Sequence, residues 1–126
     1  MGTEINGNSI QFQSMHEEIQ WLLTEADLGF TKIQHRLGSL YLESASSVGE
    51  LYQAYKWLFI AVALGNESAR NPLIEVNTRL DYDQIDQAYQ LAESWFDGKF
   101  DEISDRDESK WSPELMKWRF ALPLVH

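Results

Sequence analysis

The side chains of this chain best able to do chemistry are its carboxylates, and they gather in two places. Asp81, Asp83 and Asp86 form the first group. The second is the stretch DGKFDEISDRDESK, which begins at Asp97 and holds Asp101, Glu102, Asp105, Asp107 and Glu108. Carboxylates at such spacing can coordinate calcium or pair with Lys and Arg of another protein. The second group lacks the D-x-[DN]-x-[DN]-G order and closing glutamate of a calcium loop, so it reads as a solvated loop. The first group opens a predicted helix, where acids complement exposed N–H groups and the helix dipole without any ligand. Both groups are candidate contacts for a basic partner.

Other reactive constellations are missing from the sequence. His16, His35 and His126 have no ligand-spaced companions, and there is no cysteine. Nucleophile-elbow, phosphate-loop and dinucleotide-binding glycine patterns are absent as well. The expectation is therefore a protein that is not an enzyme, with no catalytic residue, cofactor or metal. The net charge of −10 points the same way as the acidic groups. Most of it lies in residues 1–96, which carry thirteen acids against five bases. Such a field repels nucleic acid and anionic membranes and suits a protein partner with a basic surface. The N-terminal stretch has no basic region followed by an apolar one, so a soluble, cytoplasmic chain is expected.

The elements that must position these residues are helical. Trp57 to Leu64 is an unbroken apolar run, far short of the ~20 residues a bilayer needs. With its neighbours it has helical spacing: Leu51, Ala54, Tyr55, Leu58, Ala61 and Val62 share one stripe, which Phe59, Ile60 and Leu64 widen. That width predicts a helix contacted on more than one side. Apolar spacing predicts further helices over 16–28, 32–43, 67–79 and 83–96, beside this one over 50–64. Gly29 and Gly65 stand just past two helix ends, where a left-handed residue closes the last turn.

The chain also echoes itself. Trp21 and Trp57, Gly29 and Gly65, and Leu37 and Leu73 are each 36 residues apart, and YQAYKW at 52–57 returns as DQAYQL at 86–91. Periods of this size mark stacked helical hairpins, in which neighbouring units complete each other's core. The segment HRLGSLYLESASSVGELYQAYKWLFIAVALGNESA, residues 35–69, resembles a Sel1-like repeat, a relative of the tetratricopeptide repeat. The resemblance rests on Leu37-Gly38, Leu40-Tyr41, Ala54, Trp57, Ala61, Ala63 and Gly65, with a half unit before and a degenerate unit after, over roughly 17–96. It departs from the family at Leu42-Glu43-Ser44-Ala45, where a glycine-rich loop is usual, and at Leu91, where the third unit lacks Trp. The resemblance implies an all-α, superhelical array of antiparallel hairpins that scaffolds protein interactions.

The expected organisation is a polar N-terminal segment (1–15), a helical array (16–96), and an acidic loop with a C-terminal capping segment (97–126). Ser112, Pro113 and Glu114 signal a short sixth helix, with Trp111, Leu115 and Trp118 on one face. Trp111 and Trp118 are the tryptophans with the least claim to burial, and join the candidate partner contacts. The function expected is a non-catalytic protein-binding module. In its most specific form it is a small bacterial immunity protein neutralising a basic toxin, a role the resemblance allows. The alternative is a general adaptor gripping a peptide or helix of a larger assembly. An uncapped end of such an array can also stack on a second copy.

Overall fold

A computed structural model describes residues 13–103 and 108–121, and among them there is no strand. Six α-helices follow one another: α1 (Met15–Asp27), α2 (Thr31–Ser44), α3 (Val48–Ala63), α4 (Arg70–Thr78), α5 (Tyr82–Glu102) and α6 (Pro113–Ala121). Short 3-10 turns at Glu67–Ala69 and Glu108–Lys110 lead into α4 and towards α6.

Alternate helices begin in the same way. Ser14, Ser47 and Asp81 are extended residues whose side chains accept from the N–H of Glu17, Glu50 and Gln84. Each such cap is worth about 1 kcal/mol, because it satisfies a donor that the first turn leaves without a partner. Helices α1 and α3 also end alike. Leu28 and Leu64 close the last turn, followed by Gly29 at φ +94° and Gly65 at φ +110°. The echo between the two Gly positions is thus an echo of backbone geometry.

Helix α3 is the centre of the fold, in contact with α2, α4 and α5. Trp57, Ile60 and Leu64 face a core with Leu22 and Ala26 of α1, Leu37 and Leu40 of α2, and Ala92 and Trp95 of α5. On its other side Ala54, Tyr55, Leu58 and Ala61 meet Val76 of α4, Ala88 of α5, and Leu80 in the turn between those helices. The apolar run is oily because it fills two cores, and no helix among the described residues is long and apolar enough to cross a membrane. Gly38 lets α2 approach: a Cβ there would lie 2.5 Å from Leu58 Cγ. The Trp21–Trp57 echo does not extend to burial. Trp57 is 2% exposed and Trp21 is 38% exposed, since α1 has α2 as its principal neighbour whereas α3 is flanked by three helices.

Two stretches differ from the expectation. Helix α5 does not end near residue 96 but runs through Asp97-Gly98 to Glu102. A glycine inside a helix costs about 1 kcal/mol relative to alanine. The turn beyond Gly98 offsets that by burying Lys99 and Ile103, and burial of an isoleucine alone contributes roughly 1.5–3 kcal/mol. Residues 97–102 are therefore helix, not solvated loop.

The second is the segment just before α6: the helix starts at Pro113 as expected, but the chain there returns to the α1–α2 turn and buries Trp111. The Ser112 hydroxyl donates to the Gly29 carbonyl at 2.5 Å and its N–H to the Leu28 carbonyl at 2.8 Å. Leu115 sits where a side chain on Gly29 would be, since a Cβ there would fall 2.6 Å from Leu115 Cβ. Trp111 and Leu115 consequently belong to the same core as Leu22, Ala26 and Trp95.

Candidate functional site

The two acidic groups of the sequence turn out to share one helix. Positions 83, 86, 90, 93, 97 and 101 of α5 are separated by three or four residues, which keeps them on one narrow face. Asp83, Asp86, Gln90, Glu93, Asp97 and Asp101 are all exposed there. At 1.5 Å per residue the row is about 27 Å long. Glu93 was not among the acids singled out from the sequence, yet it bridges the two groups. Its signal was the helical spacing itself, which becomes visible only when the helix is carried past Gly98.

Each candidate residue has a definite place. Asp81 is the N-cap of α5: its carboxylate accepts from the Gln84 N–H at 2.8 Å, and the Gln84 side chain accepts the Asp81 N–H at 2.9 Å. Asp83 is exposed in the first turn, and Asp86 accepts from the Gln90 amide at 2.9 Å. Asp101 and Glu102 occupy the last turn, with Glu102 paired to Lys99. Asp105 and Asp107 lie outside the described residues. Glu108 opens a 3-10 turn, and its side chain also lies outside the description. Trp118 is half-buried against Phe96, with ring centres 4.9 Å apart. Trp111 is only 6% exposed and so is not presented at the surface.

The burial of Trp111 follows from a charge cluster beneath the stripe. Lys99 is 4% exposed, and its ammonium lies 2.7 Å from Asp27 Oδ2 and 5.0 Å from the centre of the Trp111 ring. Trp95 Nε1 donates to the other Asp27 oxygen at 2.9 Å. Asp27 ends α1, where the helix dipole disfavours an acid, and these two donors compensate it. Burial holds the nearby Lys56 ammonium below its ordinary pKa; Asp27 opposes that shift and Lys99 adds to it. The single basic residue of α5 is thus turned inward, and the outer face is left to the acids.

The stripe is not explained by the stability of its own helix. Asp83/Asp86, Glu93/Asp97 and Asp97/Asp101 are like-charge neighbours, each costing roughly 0.2–0.5 kcal/mol. Asp101 and Glu102 meet the negative end of the helix dipole. No ion pair among the described residues joins Asp83, Asp86, Glu93, Asp97 or Asp101 to a cation. Elsewhere the pattern is the reverse. Arg36 pairs with Glu18, Arg70 with Glu67 and Arg79 with Glu75, at 3.0–3.1 Å.

Two grooves beside α2 are small and of mixed charge. One of about 380 Å³ between α2 and α4 is lined by Ser39, Leu42, Glu43, Pro72, Glu75 and Arg79. Another of about 350 Å³ runs along α2 past Lys32, His35 and Arg36. Among the described residues no group of three His, Cys, Asp or Glu side chains is placed to hold a metal ion. Comparison of the chain with protein families, with curated proteins and with solved structures finds no match.

Proposed function

We propose that this chain is a non-catalytic protein-binding module of the Sel1-like class that presents the acidic face of α5 to a basic protein. The observation that carries the reading is a solvent-exposed row of five carboxylates with no ion pair among the described residues, whose later members Glu93, Asp97 and Asp101 repel one another towards the negative end of their helix. Charge retained at a cost to stability is accounted for when a partner uses it. In its most specific form the partner is a basic toxin or effector, and the chain is the cytoplasmic bacterial immunity protein that neutralises it. Opposed fields would then speed the encounter. The recurrent helix caps at Ser14, Ser47 and Asp81 support the repeat reading. The alternative is a general adaptor that docks a peptide or helix of a larger assembly.

The direct test is co-expression with the product of the neighbouring gene. Rescue of growth and co-purification are expected, and both should fail with the Glu93→Lys/Asp97→Lys double variant. A chain that neither rescues nor binds would end the inhibitor reading. An association rate unchanged between about 50 mM and 500 mM salt would refute electrostatic steering and favour the adaptor.

A further inference from the structure

Beside the acidic row, α5 carries a second row that the core absorbs only at one end, at Phe96. Tyr82, Tyr89 and Phe96 recur every seven residues and fall on one line along the helix. Tyr82 is 89% exposed and Tyr89 is 38% exposed, while Phe96 is half-buried. The row is supported from below. Tyr89 meets Phe59 edge-on at 5.3 Å, and Phe96 lies between Trp95 and Trp118 at 5.2 and 4.9 Å. These contacts hold the Tyr89 and Phe96 rings in place and leave both tyrosines accessible.

The two tyrosines are each followed, one and four residues on, by a polar or acidic position, whereas Phe96 is followed by Asp97 and then by Phe100. Tyr82 precedes Asp83 and Asp86, and Tyr89 precedes Gln90 and Glu93. We propose that this face docks an amphipathic, basic α-helix of the partner, lying lengthwise along α5 with apolar residues on the aromatic row and Lys or Arg heads on the acidic row. The proposal rests on the basic-partner reading and specifies its geometry.

The argument for a helix is the spacing. Seven residues of α5 rise about 10.5 Å, the same as seven residues of a second helix, so a heptad seam keeps both in register over their length. An extended strand repeats its facing side chains about every 6.6–6.8 Å and would fall out of step with the rings. The argument for a basic partner is charge complementarity. Lys and Arg can lay their aliphatic stems along tyrosine rings and place their charged ends on Asp86, Glu93 or Asp97, combining apolar, cation–π and ionic contact.

The test uses the intact chain and a synthetic helical peptide of about 21 residues, roughly 30 Å long. The peptide carries leucine at every seventh position and arginine one and four residues later; a scrambled peptide of the same composition is the control. Titration calorimetry at near-physiological salt reads the affinities, and amide shifts locate the site. The ordered peptide is expected to bind about tenfold tighter than the scrambled one, with shifts confined to α5 and its neighbours. Tyr82→Ser/Tyr89→Ser should weaken it about tenfold, in the range of interface anchor residues. Tyr82→Ser alone, at a side chain almost wholly in solvent, should weaken binding with an unchanged melting curve.

Equal affinity for the two peptides, or unaltered affinity in both tyrosine variants, would overturn the helical docking. If Glu93→Lys/Asp97→Lys still abolished binding in that case, the basic-partner reading would stand without it. Binding of neither peptide, or binding indifferent to the charge reversal, would overturn both.

Discussion

Replacing Asp97 by lysine should stabilise this protein while disabling its acidic face. Asp97 is exposed in the middle of the stripe, with Glu93 four residues before and Asp101 four residues after. At present it makes two like-charge pairs. Lysine would turn both into opposite-charge pairs, and in the first Glu precedes Lys, the better orientation. Each conversion removes a repulsion of roughly 0.2–0.5 kcal/mol and adds an attraction of similar size, so the expected gain is about 1 kcal/mol. With a urea slope of about 2 kcal/mol/M for a domain of this size, the midpoint should rise by about 0.5 M at an unchanged slope. The gain should shrink in about 1 M salt, where exposed charges are screened beyond roughly 3 Å. Urea denaturation at low and high salt, followed by circular dichroism at 222 nm, measures both effects. A destabilised Asp97→Lys variant, or a gain indifferent to salt, would refute the view that the stripe opposes its own helix. Its retention would then call for no partner.

Three further outcomes follow from the same geometry. Lys99→Met keeps a buried stem but removes the charge that joins Asp27 to Glu102, and is expected to cost about 1–2 kcal/mol because both carboxylates remain partly hydrated. A neutral or stabilising result would mean that burying the ammonium costs as much as its pairs contribute. Gly29→Ala should free α6 from the α1–α2 turn, since φ +94° and the 2.6 Å approach of Leu115 both exclude a side chain; faster hydrogen exchange in α6 than in α3 would register it, and equal exchange would contradict it. Hydrogen bonds from the Ser46 N–H and hydroxyl, with those from Ser47, hold the Glu50 carboxyl below its ordinary pKa. Its contribution is therefore present above the unfolded-state value (about 4.3) and lost as pH falls through the lower folded value. Glu50→Gln should flatten that part of the acid limb, and an acid limb as steep as that of the native chain would rule this out.

Much of the scaffold was legible in the sequence because its signals are local. The acids that open α5 at Asp81 and Asp83, the turn glycines at 29 and 65, and the spacing of Leu51, Ala54, Tyr55 and Leu58 each act within a few residues. The width of the apolar face on α3 likewise foretold more than one neighbour, and three are present. The candidate site was legible only in pieces. Asp81, Asp83 and Asp86 mark a helix start, but Asp97-Gly98 carries the local mark of a helix end and so points Asp101 and Glu102 to a loop, whereas they lie in the last turn of α5.

The sequence by itself therefore determined an acidic, helical chain, the position of most helix starts, and the oily segment at its centre. Propensity, capping and apolar period are properties of short windows, and they need no knowledge of distant residues. The tertiary structure decided which local signals were overridden. Asp27 and Trp111, 72 residues behind and 12 ahead of Lys99 in the chain, enclose its ammonium and hold α5 helical past Gly98. Ser112 brings α6 back to Gly29 across 83 residues. Once α5 is continuous, acids that looked like two separate groups align on one face beside a heptad of aromatic rings. Burial and juxtaposition depend on residues far along the chain, so the shared acidic and aromatic face of α5 became visible only in the folded protein.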